Sequence, residues 1–596
     1  MKLQTTFDPV SLEIMWSRLI NITEECWVTI WRTAFSTIIG EAQDFGCELL
    51  DARANSIAHS PRSMPVFNLT LPQAIKALFE SFPPNELEDG DVLITNDPWV
   101  CAGHLFDLAV VTPVFRSGQM VGLVGSIGHC SDIGGTKDSG HAREVYEEGL
   151  QIPPLKLYRA GRLNNDVAAM IRRNVRRPEM VFGDIQAQVG SNRIGAQRLL
   201  EFMEEYGLET LEPLAHEVQH RAETAMREAI AAVPDGTYTS EVEFEVAGQR
   251  LRLPCKVIVA GDELTVDWEG APPELPFGGV NCTGTYAAAH TTYALKSILT
   301  PEIPSNAGCF RPLHVRAPEG SVLNCRYPAS VNQRTMVGWF CGPAVFRALA
   351  PVLADRVQAF TGLPALCAGY GRDAHGRTFN DHIMFGGGQG GGRNTDGNSA
   401  VLYPTSAANV PVEMFEQRTP LMVERKELIP DSAGAGRHRG GLGQQVVIRK
   451  LYDDGLPVQA QVLPHGIGSP LDGLLGGRSA GPGRYKIAGK VITKAAGLTQ
   501  LAELRKSSDV VILEAGGGSG FGAPRERPLE VVQRDLTEGY ITPRGLAAYG
   551  ARMRNGKVVR SPMKRLAKTK RVVIARPAGP KQSPVTEIAT RLRRSR

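Results

Sequence analysis

The sequence has no run approaching about 18 uninterrupted apolar residues, so no segment is built to cross a bilayer as a helix. None of its ten cysteines stands in a CxxC pair, which removes the zinc-ribbon and thioredoxin-like readings. The GxxxxGK[ST] phosphate loop is missing, as is any kinase-type motif set. If the reaction uses a nucleotide, another chain is expected to bind it. The opening MKLQTTFDPVSLEIMWSRLI places acids inside its apolar pattern and has no small-residue cleavage site, unlike a signal peptide. Without an export signal, the cysteines read as reduced thiols of a cytoplasmic protein.

The chain has 596 residues, enough for two or three domains, with a soluble composition of 42% hydrophobic and 21% charged residues. Its net charge of +4 hides an asymmetry. Residues 552–596 hold 15 of the 66 Lys and Arg but only one of the 62 acids, Glu587. The remaining 551 residues, with 51 bases and 61 acids, are mildly acidic. A tail so basic stays solvated or docks on an acidic surface. It has no aromatic residue to stack on bases, so nucleic-acid binding is not expected.

Apolar spacing predicts one long helix over 9–40, with a break near Asn21. Two short strands around Asp-Ala-Arg-Ala-Asn follow in 41–58, then a strand within 90–98. LAVVTPVF (108–115) and MVGLVGSI (120–127) flank a glycine-containing turn and read as a hairpin. Helices are expected over 164–207 and 211–233. Alternating strands begin after Pro234, which places a domain boundary near 235. Further helices are expected around 283–299 and 340–360. The expected class is α+β: a helical and hairpin-bearing domain over 1–235, then a β-rich domain over 236–525 with a glycine loop at 386–397. A helical segment over 526–556 and a basic tail over 557–596 complete the division.

Two frames stand out, AGHLFDLA (102–109) and SIGHCSDIGG (126–135), each with Gly-His-x-x-Asp. Folding the hairpin about its turn pairs residue i with roughly 235 − i. His104 then falls near Ser131, Asp107 near Gly128 and His129 near Phe106. Imidazole and carboxylate groups meeting at one hairpin end can hold a divalent ion, and the mixed donors suit zinc, iron or manganese. The plain alternative is turn chemistry, since Asp and Gly commonly follow strands.

Several other motifs dissolve on inspection. His-Glu-Val-Gln-His (216–220) has the HExxH spacing of zinc peptidases, but both histidines fall about 140–180° from the helix's apolar face. FGGGQGGG contains a formal GxGxxG, but a loop rather than a helix follows it. It reads instead as a mobile loop that admits close approach. GGGSGFG (516–522) lacks the nucleophile-elbow spacing, so Ser519 reads as a turn residue. Cys130 is the one cysteine inside a candidate site, and a filler role suits it better than an activated thiol.

FDPVSLEIMWSRL, RTAFSTIIGEAQDFGCELLDA, GDVLITNDPWVCAGHLFDLAVVTPVF, GHCSDIGG, EGLQIPPLKLY, NAGCFRPLHVRAPEGSVLN and PVEMFEQRTPLMVERKELIPDSAGAGRHRGGLGQQ occur in this order. Together they resemble the hydantoinase B/oxoprolinase family, from about residue 7 to about 550. The resemblance implies a heteromeric enzyme. A hydantoinase A-type partner binds ATP and phosphorylates the substrate oxygen, while the B-type chain carries one divalent metal ion. It further implies Glu41, His104, Asp107 and His129 as metal ligands, with Asp44 an alternative to Glu41, and Asp132 as a support that orients His129. Three departures stand out: Cys130 where a second His is common, Cys101-Ala102-Gly103 before the first His, and the basic end from about 557.

The leading expectation is ATP-dependent hydrolysis of a cyclic amide such as a hydantoin, oxoproline or lactam, with the glycine-loop amides near 386–392 lining the pocket. The second is carboxylation of a ketone by bicarbonate, which an additional small subunit would favour. The third is a non-catalytic scaffold for the ATPase chain.

Overall fold

In a computed structural model, residues 7–468, 472–493 and 498–562 are described. The chain starts with α1 (Pro9–Thr33). Asp8 caps it, its carboxylate accepting from the amides of Val10 and Ser11 at 3.1 Å. Leu12, Met15, Leu19, Ile22, Cys26 and Ile30 form its buried stripe. The helix runs through Asn21, which is exposed. It breaks instead at Ala34–Ser36, where Ser36 caps α2 (Thr37–Gly40) and Asp184 accepts from the Phe35 and Ser36 amides.

The predicted strand pair follows as β1 (Phe45–Asp51) and β2 (Ser56–His59), then α3 (Pro65–Ser81) and β3 (Val92–Thr95). The hairpin is β4 (Asp107–Arg116) and β5 (Gln119–His129). β6 (Leu155–Arg159) and β7 (Arg162–Leu163) complete a seven-stranded sheet in the order β2-β1-β5-β4-β3-β6-β7. The expected helix over 164–207 is two, α4 (Asn165–Asn174) and α5 (Pro178–Glu205), because Pro178 starts a new helix. α1 and α5 cover one face of the sheet, and α3 covers the other. α6 (Glu212–Ala231) exposes His216 and His220, with Glu217 bound to Arg221, as its wheel predicts.

Alternation then builds β8 (Gly236–Val246), β9 (Gln249–Ala260) and β10 (Glu263–Asp267). α7 (Gly284–Leu299), α8 (Ala307–Phe310), β11 (Leu313–Arg316), α9 (Thr335–Gly338) and α10 (Cys341–Leu349) follow. The helix expected over 340–360 is this shorter α10, since Pro351 cannot continue it. A four-stranded and a five-stranded sheet come next. They are built from β12 (Ala365–Arg372), β13 (Thr378–Phe385), α11 (Val412–Arg418), β14 (Leu421–Leu428), β15 (Gln444–Lys450) and β16 (Val458–Leu463). β17 (Arg484–Ile487), β18 (Lys490–Val491), β19 (Gln500–Leu504) and β20 (Val510–Glu514) complete them. The class is α+β, as expected. One continuous buried apolar cluster runs from Leu12 to Phe521.

The segment expected to be helical over 526–556 holds one helix, α12 (Leu529–Thr537), and then a hairpin, β21 (Ala551–Arg554) with β22 (Lys557–Arg560). Asn555-Gly556, both at positive φ, make its tight turn. The tail drawn from 557 therefore begins inside a strand, and its residues 563–596 lie outside those described. Among the described residues no helix is long and apolar enough to cross a membrane.

Candidate metal centre

The β4–β5 hairpin turns through Ser117 and Gly118, both at positive φ, so a two-residue primed turn joins the strands. At the tip Arg116 pairs with Gln119 and Phe115 with Met120, as 235 − i requires. The register then slips by one residue. Val114 pairs with Gly122, Val121 is left over as a bulge, and Asp107 stands directly opposite His129. The simple pairing put Gly128 there. A one-residue slip moves a side chain to the other face of the sheet. The bulge therefore brings Asp107 and His129 onto one face, the one covered by α3.

His104 sits in the turn that enters β4. Gly103 before it has a φ of 86°, and a Cβ there would meet Tyr286 at 2.8 Å. Asp107 is fully buried and His104 is 4% exposed. Asp107 Oδ1 lies 2.9 Å from His104 Nε2 and 3.1 Å from His129 Nδ1. One ligand atom from each of the three residues falls within 4.8 Å of the others.

Arg334, from α9's N-terminal edge, donates from Nη2 to Asp107 Oδ2 at 2.8 Å and from Nε to the Ala102 carbonyl at 2.8 Å. Its guanidinium also stacks 4.5 Å over the Tyr286 ring. Burial alone would raise the Asp107 carboxyl. The Arg334 guanidinium on Oδ2 and the imidazoles of His104 and His129 beside Oδ1 override it and hold Asp107 well below the usual carboxylate range. Burial, then Arg334, pushes His104 down to about 4, so its imidazole is neutral near pH 7. His104 Nδ1 faces Asn332 Oδ1 at 3.4 Å. A proton there turns the Nε2 lone pair toward the cluster, where Nε2 is buried without an aligned hydrogen bond. The Val331 and Asn332 amides donate in turn to Glu148 Oε1, each at 2.9 Å.

Asp44 completes the surroundings. Its backbone carbonyl accepts from the His129 amide at 3.1 Å, and its Oδ2 lies 3.9 Å from His129 Nδ1. Burial raises it to about 6 despite His129. Its Oδ1 is buried without a partner. Asp44 lines the cavity beside the cluster, whereas Glu41 sits half-buried at the end of α2 and does not. Two imidazoles, one firmly ionised carboxylate and a buried carboxylate oxygen without a partner fit a divalent ion with mixed N/O ligation.

Asp132 does not orient His129. Its carboxylate accepts from Arg176, from both the backbone amide and Nη1, the latter at 2.7 Å. The His129 ring faces Asp107 instead. Cys130 is buried, and burial raises its thiol far above the ordinary value, which suits a filler. The glycine loop lines neither of the cavities at His129 and is packed against other backbone. Gly386–Gly388 are buried, and the loop amides are taken. Gly388 donates to the Gly516 carbonyl at 3.0 Å, Gly390 to Thr361 Oγ1 at 3.0 Å and Gly391 to the Ser519 carbonyl at 2.9 Å. Close approach is its use, but to other backbone: a Cβ on Gly388 would lie 1.9 Å from the Gly441 carbonyl oxygen.

Two cavities of about 120 Å³ each meet at His129. One is largely apolar and lined by Phe67, Tyr286, Trp339, Met384 and His465 together with the cluster. His465 is locked between the Pro364 carbonyl (3.1 Å) and Thr335 Oγ1 (2.9 Å). The other cavity is the more polar of the two, with Ser131, Lys137 and Arg176 set beside apolar Ile38, Phe106, Leu366 and Leu463.

The profile of the family described as hydantoinase B/oxoprolinase matches residues 8–524. This chain is a hydantoinase B/oxoprolinase family member. Among its relatives in the family is a protein of Pseudomonas sp. strain NS671, provisionally named as the B-type subunit of a D-/L-hydantoinase. It is 32% identical over 91% of this chain and 95% of its own length. The beta subunit of the Pseudomonas jessenii caprolactamase is 28% identical over 93% of this chain and 97% of its own. The crystal structure of the ATP-dependent caprolactamase from that organism superposes with a TM-score of 0.83 at 26% identity, over 92% of this chain and 97% of that one. An acetone carboxylase structure, at 19% identity, shares the fold with a TM-score of 0.78 over 93% of this chain and 81% of its own.

Sequence reasoning missed Arg334, Asn332 and Glu148. All three act across more than 180 residues of chain, and no local pattern around them marks a partner in the 104–129 hairpin.

Proposed function

We propose that this chain is the metal-bearing member of a heteromeric, ATP-dependent enzyme that hydrolyses a cyclic amide once a partner chain has phosphorylated its carbonyl oxygen. The observation that carries this reading is the buried His104–Asp107–His129 cluster at the head of an apolar cavity. The relatives named as components of a hydantoinase and of a caprolactamase support it, and their designations support a separate partner. The missing phosphate loop agrees with ATP binding elsewhere.

A divalent zinc, manganese or iron ion held by His104, Asp107 and His129 would supply Lewis acidity and an activated water. The protein's own groups prepare for that. Arg334 keeps Asp107 ionised, Asn332 holds the His104 tautomer, and Asp44 stands beside His129 as a further carboxylate. The apolar walls take the ring and exclude bulk water, which strengthens the electrostatics of the cluster.

The test is a screen of the chain co-expressed with a hydantoinase A-type partner against hydantoins, lactams, 5-oxoproline and ketones, each with and without bicarbonate. ATP-dependent ring opening is expected, and His104→Ala and His129→Ala should lose metal and turnover together. Full turnover without metal, or bicarbonate consumed with a ketone and no ring opening, would overturn the reading.

A further inference from the structure

The more polar of the two cavities at His129 has a composition that the cluster does not explain. Two cations, Lys137 and Arg176, line it against one carboxylate, Asp132. Arg176 already satisfies Asp132. That leaves the Lys137 ammonium. Among the described residues it has no ion pair and no hydrogen bond; its contact is the Tyr370 ring, 4.5 Å from the centroid. Two further groups on this cavity wall, Ser131 Oγ and His382 Nε2, are buried without a partner. An unpaired ammonium, a hydroxyl and an imidazole gathered in one small cavity match a multiply charged oxyanion. His129, Asn332, Leu366 and Leu463 belong to both cavities, so an oxyanion here would lie next to His129 of the cluster and adjoin the apolar chamber.

We infer that the polar cavity is a phosphoryl subsite: Lys137, with Ser131 and His382, holds the phosphoryl group of the activated substrate while its carbon skeleton occupies the apolar cavity. The inference rests on the proposed function for the source of that phosphoryl group, but the subsite's own chemistry is testable without it. Bicarbonate is the other oxyanion such a pocket could take. Its single charge is a poorer match to an ammonium reinforced by two further polar groups.

The probe is inorganic phosphate, titrated into the full chain loaded with Mn2+ and followed by calorimetry and by paramagnetic broadening of the 31P signal. Wild type should bind phosphate close enough to Mn2+ to broaden it. Lys137→Gln should weaken phosphate binding by roughly tenfold, as loss of a charge-assisted hydrogen bond does, with Mn2+ affinity unchanged. Lys137→Arg should restore most of it, which separates a charge contact from a structural role. Equal phosphate affinity in wild type and Lys137→Gln, no phosphate binding by wild type, or tighter binding of bicarbonate than of phosphate would each overturn the inference. The complex separates this from the function itself. Unchanged kcat/KM for ring opening in Lys137→Gln would sink the subsite and leave the cyclic-amide reading. Lysine-dependent phosphate binding without any ring opening would do the reverse.

Discussion

Arg334 stands 227 residues after Asp107 in the chain, and its guanidinium holds Asp107 Oδ2 at 2.8 Å in a site closed to solvent. The contact commits one carboxylate oxygen to the protein and leaves the other facing the two histidines. A buried charge that loses its partner is costly, so Arg334→Ala is expected to destabilise the chain by about 3–5 kcal/mol. Urea unfolding measures it. Arg334→Lys should recover little, because a lysine cannot reach Asp107, the Ala102 carbonyl and the Tyr286 face together.

Asp44 and Glu41 make opposite forecasts. Asp44→Asn should weaken divalent-metal affinity by about 10–100-fold, the range for groups that support a ligand set. Glu41→Gln should leave it within about twofold of wild type. Competition with a chelating dye reads both. Equal losses would show that Glu41 reaches the ion after all.

Glu148 offers a pH signature. Its carboxyl is 2% exposed, and burial raises it to about 7 against the pull of the Val331 and Asn332 amides. A folded-state value above the unfolded one contributes stability that is fully present below pH 4.5 and is lost as pH rises through 7. Glu148→Gln removes the titration while an amide oxygen can still accept both hydrogen bonds. The stability of wild type relative to Glu148→Gln should therefore fall by roughly 3 kcal/mol between about pH 4 and about pH 8. A flat difference across that range would contradict it.

The glycine layer predicts a sharp contrast. A methyl at Gly388 would meet the Gly441 carbonyl at 1.9 Å and the Gly518 amide at 2.6 Å, both backbone. Gly388→Ala should fail to yield soluble folded chain. Gly190, inside α5, has nothing within 4 Å of a built Cβ. Gly190→Ala should stabilise by about 0.5–1 kcal/mol, since alanine is the better helix former. Thermal melts decide between the two.

Much of the first half was legible because its signals are local. The apolar stripe of α1, the hairpin turn and the exposed histidines of α6 follow from periodicity alone. The His104, Asp107 and His129 grouping was within reach for the same reason, since one hairpin brings two of the three together. Asp132 misled because its resemblance-based role ignored Arg176, a partner 44 residues away. The glycine loop misled differently. Glycine permits close approach, but composition does not say whether a ligand or another strand approaches, and here Gly441 and Gly516–Gly518 do. The Asn555-Gly556 turn was readable and passed over, because the run of bases around it suggested a tail.

The hairpin also sets an arithmetic constraint. A two-residue turn pairs positions whose numbers add to an odd total, and 107 plus 129 is even. Asp107 and His129 can therefore face each other only if the strands between them contain an odd number of unpaired residues, and Val121 is that residue. A single insertion or deletion elsewhere in these strands would swap the parity and send one of the two to the opposite face. The same change at position 121 or in the turn can be absorbed. Length variation in this hairpin should thus come in pairs or gather at the bulge, even though neither the turn nor Val121 touches the centre.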